Sequence, residues 1–178
     1  MFSFTESSRL TEFERQVLPH LDAAFNLARF LVRNDQDAED VVQEAALRAF
    51  RFFESFRGEN SRAWFLRIVR NTAFTALKRS RMNEETVVFD EELHGGQIPP
   101  LDAGLALDRA HDRQTVRAAI EHLPAEFREA ITLRELEGMS YKEIADVAGV
   151  PIGTIMSRLA RARRQLQLLL TKTYAENK

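Results

Sequence analysis

A chain of 178 residues, 44% hydrophobic and 29% charged, has room for one ordinary domain or two small ones and is too apolar to be disordered throughout. It contains no cysteine, which excludes disulfides, thiolate metal sites and thiol nucleophiles together. Its formal net charge of −2 would argue against a polyanion partner if the charges were evenly spread, but they are not.

Residues 35–44 carry five acids and no base, residues 61–81 six bases and no acid, residues 84–92 five acids, and residues 151–172 five bases and no acid. Two basic faces separated by acidic ones imply two contacts with polyanions and at least one contact of another kind. No stretch approaches eighteen consecutive apolar residues, and the first residues, MFSFTESSRL, lack a basic region followed by an apolar run. Neither a membrane span nor a secretion signal is expected, so the predicted location is the cytoplasm, with no membrane contact of the chain's own. His20, His94, His111 and His122 are scattered without a metal-ligand spacing, and no Gly-rich phosphate loop or GxSxG elbow occurs. The sequence therefore predicts no catalytic residue, no metal and no cofactor.

In chain order, the first helical pattern runs from about Thr11 to Arg33, with Pro19 either kinking it or opening a second helix at its first turn. Leu21, Phe25, Leu27, Ala28 and Leu31 then recur at helical spacing. After Asn34 the acidic run DQDAED suits a helix N-terminus, where carboxylates complement the macrodipole, and Val41, Val42, Ala45, Leu47 and Phe50 carry that helix to about Phe53. The stretch SFRGENS, 55–61, reads as a loop, with Ser61 as the expected N-cap of a long third helix ending near Met82. From 83 to 105 the pattern gives way to acids, Gly95-Gly96 and Pro99-Pro100, which reads as a flexible linker. Its acids are either a solvated tether or an imitation of nucleic acid inside a partner's basic channel. A second helical unit follows, with Val116, Ala119, Ile120 and Leu123 as one apolar side, Pro124 opening the next helix, Phe127, Ala130, Ile131, Leu133 and Leu136 as its pattern, and Gly138 ending it. The predicted fold is thus all-α: two small helical domains, 1–82 and 106–178, joined by the linker 83–105.

Ser140-Tyr141-Lys142-Glu143 has the S-x-x-E form of a capping box. The helix it opens is interrupted at Ala148-Gly149-Val150-Pro151, where Gly149 is free to take a positive φ and Pro151 suits the first turn of the next helix. This is the layout of a helix-turn-helix. At 100° per residue, Ile155, Leu159, Ala162 and Leu166 fall on one side of the second helix, and Thr154, Ser157, Arg158, Arg161 and Gln165 on the other. Such a polar face enters a major groove, where arginine pairs with guanine and threonine touches a thymine methyl. Arg163 and Arg164 are better placed for phosphate or solvent.

The third helix is basic and aromatic. Phe65, Leu66, Val69, Ala73, Ala76 and Leu77 form its apolar side, while Trp64, Arg67, Asn71, Thr75 and Lys78 line up opposite. Trp64 is suited either to stack on an unpaired base or to fold back into the core. The loop before it, with Phe56, Asn60 and Ser61, is better placed to hold an extruded base.

Taken together, DAEDVVQEAALRAF (37–50), FRGENSRAWFLRIVRN (56–71) and LPAEFREAITLRELEGMSYKEIADVAGVPIGTIMSRLARARRQL (123–166), in this order, resemble the extracytoplasmic-function group of sigma-70-family sigma factors. The resemblance implies a dissociable, non-enzymatic initiation subunit of RNA polymerase. It implies that the acidic helix around Asp40, Gln43 and Glu44 binds the clamp helices of the polymerase core. It also implies that 56–81 captures the single-stranded −10 element and that 140–165 reads the −35 element as duplex. On the same footing the linker threads toward the active-site and RNA-exit channel, and an anti-sigma factor is an expected partner. Met156 departs from the pattern, standing where many relatives carry arginine. A sigma mimic without promoter binding would have no need of Arg158, Arg161 and the basic stripe. An ordinary dimeric helix-turn-helix regulator would have no need of the aromatic basic helix. How the two domains sit relative to one another is left open by the linker.

Overall fold

The structure is a computed structural model that describes residues 4–85 and 107–176. Among these residues all regular structure is helical, in an N-terminal unit α1–α4 and a C-terminal unit α5–α8. The predicted linker lies almost wholly outside the described residues.

Helix α1 spans Phe4–Val17 and α2 Leu21–Val32, with a 3-10 turn at Leu18–His20 that carries Pro19. Proline has no amide to continue α1, so a new helix starts immediately after it. The earlier start of α1, seven residues before the expected one, has a tertiary cause. Its first turns are polar in sequence, but Arg9 donates to the carbonyl of Phe50 at 2.7 Å, ion-pairs with Glu54 at 3.2 Å and lies over the Phe50 ring. Phe13 fixes the same helix by meeting Phe50 and Phe53 edge-on at 5.2 and 5.4 Å.

Arg33, in the left-handed region at φ 61°, ends α2, and Asn34 accepts the amide of Asp37 to cap α3, Asp35–Phe52. Ala38, Val41, Ala45 and Ala49 are its buried stripe; Leu47 is exposed, contrary to the pattern read from sequence. Helix α4 spans Ser61–Glu85. Its cap is Asn60 rather than Ser61: Asn60 Oδ1 accepts the amide of Ala63 at 2.9 Å, whereas the Ser61 hydroxyl lies 3.4 Å from His20 Nε2. Phe65, Leu66, Val69 and Ala73 are fully or nearly fully buried against α2 and α3.

In the C-terminal unit, α5 spans Leu107–Glu121 and α6 Ala125–Ile131, after Pro124. Helix α6 widens into a π-helical turn at Thr132–Leu136, where the amide of Glu137 reaches back to the carbonyl of Thr132, and Gly138 at φ 64° ends it. That widening rotates Leu136 out of the predicted stripe, leaving it 51% exposed, and Val116 on α5 is also exposed. Helix α7, Tyr141–Ala148, opens with the complete Ser140–Glu143 capping box and ends at Gly149, φ 67°. Helix α8 runs Ile152–Glu176, with Ile155, Leu159 and Ala162 buried.

The two units are packed together. Helices α2 and α4 of the first meet α6 and α7 of the second, and the buried apolar residues of both form one contiguous cluster.

Candidate nucleic-acid interface

The helix-turn-helix is assembled by local chemistry. Ser140 Oγ accepts the amide of Glu143 at 3.2 Å, and Glu143 Oε2 accepts the amide of Ser140 at 2.8 Å and its hydroxyl at 2.9 Å. These bonds hold the Glu143 carboxyl below the usual carboxylate range. Gly149 then reverses the chain without the strain a β-carbon would bring at its φ, and Ile144 packs beneath α8 among Ile155 and Leu159. On the outer face of α8, Ser157, Arg161 and Gln165 are exposed, Thr154 is half-buried, and Met156 stands 54% exposed among them.

Arg158 departs from that face. Its side chain is only 19% exposed and points back toward Glu129, with Nη1 3.7 Å from Glu129 Oε2. Glu129 itself is buried on α6, and its Oε1 accepts from Arg70 Nε of α4 at 2.8 Å. Burial pushes the Glu129 carboxyl upward against the pull of both arginines. Arg163 is exposed and pairs with Glu135 at 2.8 Å.

On the N-terminal unit, Trp64 is half-buried and tilted over Phe56 at 4.8 Å and Phe53 at 6.2 Å. Of its two readings from sequence, this geometry is the folded-back one: the ring closes an aromatic cluster under the loop. Phe56 is also half-buried, and Gly58 sits so close to its ring that an added β-carbon would lie 3.0 Å away. An open cleft lined by Arg9, Glu12, Gln16, Phe53, Phe56 and Arg57 lies beside this cluster. Arg67, Asn71 and Lys78 are exposed along α4, while Asn60 and Arg62 are engaged by the other unit. On α3, Asp40 and Gln43 are exposed, and Glu44 is half-buried and ion-pairs with Arg48 one turn on. The acidic α3 surface and the basic α4 surface are therefore separate faces of one bundle.

The two family descriptions that match the chain are "Sigma-70 region 2" over residues 17–82 and "Sigma-70, region 4" over residues 113–166. The ECF RNA polymerase sigma-E factor of Haemophilus influenzae is 40% identical over 149 residues, covering 79% of this chain and 77% of its own length. The chain belongs to the extracytoplasmic-function group of the sigma-70 family. The RNA polymerase sigma-H factor of Pseudomonas aeruginosa is 35% identical over 165 residues, 89% of this sigma factor and 86% of its own chain. Among solved structures, the sigma factor RpoE in complex with the anti-sigma factor NepR from Bartonella quintana matches with TM-score 0.69 at 35% identity, over 90% of this chain and 97% of that one. CnrH in complex with the cytosolic domain of CnrY matches with TM-score 0.62 at 25% identity, over 90% and 88%. The sigma factor described here accordingly directs promoter recognition, DNA melting and initiation, and no described helix is long and apolar enough to cross a membrane.

Sequence reasoning missed the residues that join the units. Arg128, 6% exposed on α6, donates from Nε to the carbonyl of Phe30 at 2.7 Å and from Nη2 to that of Leu31 at 3.0 Å, and Nη1 bonds the carbonyl of Leu123. Burial lowers its pKa to about 10. A usable signal was present: residues 121–143 hold six acids against three bases, a segment opposite in sign to the basic block 61–81.

Proposed function

We propose that this sigma factor divides its work among three surfaces, with domains bounded near 1–82, 83–105 and 106–178. Thr154, Ser157, Arg161 and Gln165 on α8 read the −35 element; Phe56, Asn60, Ser61, Arg67, Asn71 and Lys78 hold the opened −10 strand, with Trp64 packed behind Phe56 to set that loop; Asp40, Gln43 and Glu44 on α3 bind the polymerase core. The observation that carries this reading is the pairing, in one chain, of a capped helix-turn-helix with an exposed polar face on its second helix and a basic helix preceded by an aromatic loop. Duplex reading needs the first, and strand capture needs the second. Arg158 contributes by holding Glu129 and the base of α8 in place, which makes Arg161 the side chain to vary when base reading itself is the question.

The protein acts without catalysis of its own, in the cytoplasm, and under an anti-sigma factor of the kind seen with its solved relatives. The test is run-off transcription with purified bacterial core polymerase on a supercoiled fragment carrying the gene's own upstream region. Discrete transcripts that require the protein are the expected result. Silence combined with absence of core binding on the same sample overturns the reading in favour of a mimic or an ordinary regulator.

A further inference from the structure

We propose that Arg9 of α1 is a positioning residue for strand capture: by capping the end of α3 it sets the aromatic loop that receives the −10 strand. The proposal rests on the reading of that loop given above. It places a working part of the protein outside residues 17–82, the segment that matches "Sigma-70 region 2".

The end of α3 is where the chain is steered toward the loop. The carbonyl of Phe50 is among the last of the helix, and the amide of Phe53 reaches it as the chain tightens into a 3-10 turn, Phe53–Ser55. Arg9 Nη2 donates to the same oxygen at 2.7 Å, and Nη1 lies 3.2 Å from Glu54 within the turn. A cation suits this place, because the partial negative charge of a helix C-terminus collects on those carbonyls. The guanidinium also lies over the Phe50 ring at 4.8 Å, which fixes its plane. Glu54 is 75% exposed, so its ion pair counts for little and the bond to the Phe50 carbonyl carries the contact.

From there the geometry runs through aromatic rings to the loop. Phe13, four residues on along α1, holds Phe53 edge-on at 5.4 Å. Phe53 stacks on Phe56 at 6.4 Å, and Phe56 meets Trp64 at 4.8 Å. The loop's own bonds are local: the amide of Phe56 reaches the carbonyl of Phe53 at 3.0 Å, and Arg57 Nη1 donates to that of Glu54 at 2.5 Å. They tie the loop to the 3-10 turn, so the seat of that turn on α1 decides where Phe56 stands. A charge-assisted hydrogen bond biases such an equilibrium about tenfold. Losing it lowers the apparent strand affinity in proportion to the receiving form lost. Arg9 also borders the open cleft beside the cluster, so steering of the loop has to be told apart from direct contact with the strand.

Trp64 is the sole tryptophan of the chain and sits in the cluster, so its emission reports the loop directly. Full-length wild type, Arg9→Ala, Arg9→Lys and Glu54→Gln are compared for Trp64 emission, for far-ultraviolet circular dichroism and for affinity to bacterial core polymerase. Each holoenzyme is then titrated with a fluorescent single strand copied from the non-template −10 region of the promoter mapped by run-off transcription. Arg9→Ala is expected to keep its helical signal and core affinity, to shift the emission to the red, and to bind the strand about tenfold more weakly. Arg9→Lys keeps a cationic donor for the carbonyl and should recover most of both, while Glu54→Gln should match wild type. Unchanged strand affinity in Arg9→Ala overturns the proposal. Core affinity that falls in step with strand affinity, or loss of the fold, makes Arg9 a general structural residue and overturns it as well. A weakened strand with unshifted emission assigns Arg9 to direct contact and removes the positioning role. A wild-type protein that neither transcribes nor takes up the strand overturns the functional reading instead, and the proposal with it.

Discussion

Replacing Glu129 tests the charge junction on which both the second unit and the contact between units depend. The carboxylate is 1% exposed and sits between Arg70 at 2.8 Å and Arg158 at 3.7 Å, each arginine about one-fifth exposed. Glu129→Ala leaves two cations facing each other without a counter-charge, a change that costs about 3–5 kcal/mol when the group removed belongs to a buried pair. Because both arginines retain some water, the lower end, about 3 kcal/mol, is expected. Glu129→Gln keeps an acceptor for Arg70 Nε and loses only the charge assistance of the hydrogen bond, on the order of 1 kcal/mol. A unit this small nets only about 3–5 kcal/mol, so the alanine variant should bring the C-terminal unit close to unfolding. Urea denaturation of the full chain, followed by circular dichroism, would show this as a midpoint lowered by about 1–3 M at a slope of about 1–3 kcal/mol/M. The pH dependence separates the effects further. A carboxyl raised by burial favours the fold while protonated, and that contribution is lost as the pH rises through its folded-state value. Wild type should therefore lose stability above the ordinary glutamate range along a slope that the glutamine variant lacks. An alanine variant within about 0.5 kcal/mol of wild type would refute the junction as a structural element.

The remaining expectations concern the helix-turn-helix and the proposed contact faces. Ser140→Ala removes the acceptor for the Glu143 amide and should cost about 1 kcal/mol by denaturation, whereas Ser140→Thr, which keeps the hydroxyl that Glu143 also accepts from, should cost little. Glu143 has its folded-state value lowered by the same cap, so its contribution is present above the ordinary value of 4.5 and fades as the pH falls through the lower one. An acid titration followed by circular dichroism should accordingly be flatter in Glu143→Gln. Arg161→Ala should reduce promoter-specific initiation about tenfold, on roughly 1–3 kcal/mol per bidentate base contact, and leave core affinity unchanged; equal −35 dependence in footprinting would count against α8 as the reader. Glu44→Lys should weaken core binding in pull-downs, because it replaces attraction by repulsion on the α3 face, and undiminished affinity would remove α3 from that role.

What could be read from the sequence was what depends on neighbours in the chain. The capping box, the left-handed Gly149 and the stripe Ile155, Leu159, Ala162 are encoded within a few residues, and each takes its expected place. The misassigned features depend on partners far along the chain. Ser61 and Asn60 are equally good caps by residue type, and the choice of Asn60 is fixed by a second bond to Glu143, 83 positions away. Leu136 fits a helical stripe until the π-helical turn rotates it outward. Arg158 lies on the polar side of α8 by periodicity, yet it turns toward Glu129, an acid that an isolated α6 would present to solvent.

Adjacent Arg128 and Glu129 make the general point. On a helix of seven residues, two consecutive charged side chains read as a solvated edge, and local pattern offers no reason to bury them. They are buried because each finds counterparts on the other unit as well as its own: carbonyls at the end of α2 beside that of Leu123 for the guanidinium, and Arg70 beside Arg158 for the carboxylate. The pairings across the units would not survive separation, and water would then satisfy the exposed groups at little cost. Charges buried this way hold an interface closed without making it irreversible, because the desolvation they suffer in the docked form is returned on opening. An apolar seam of the same area would lack that return.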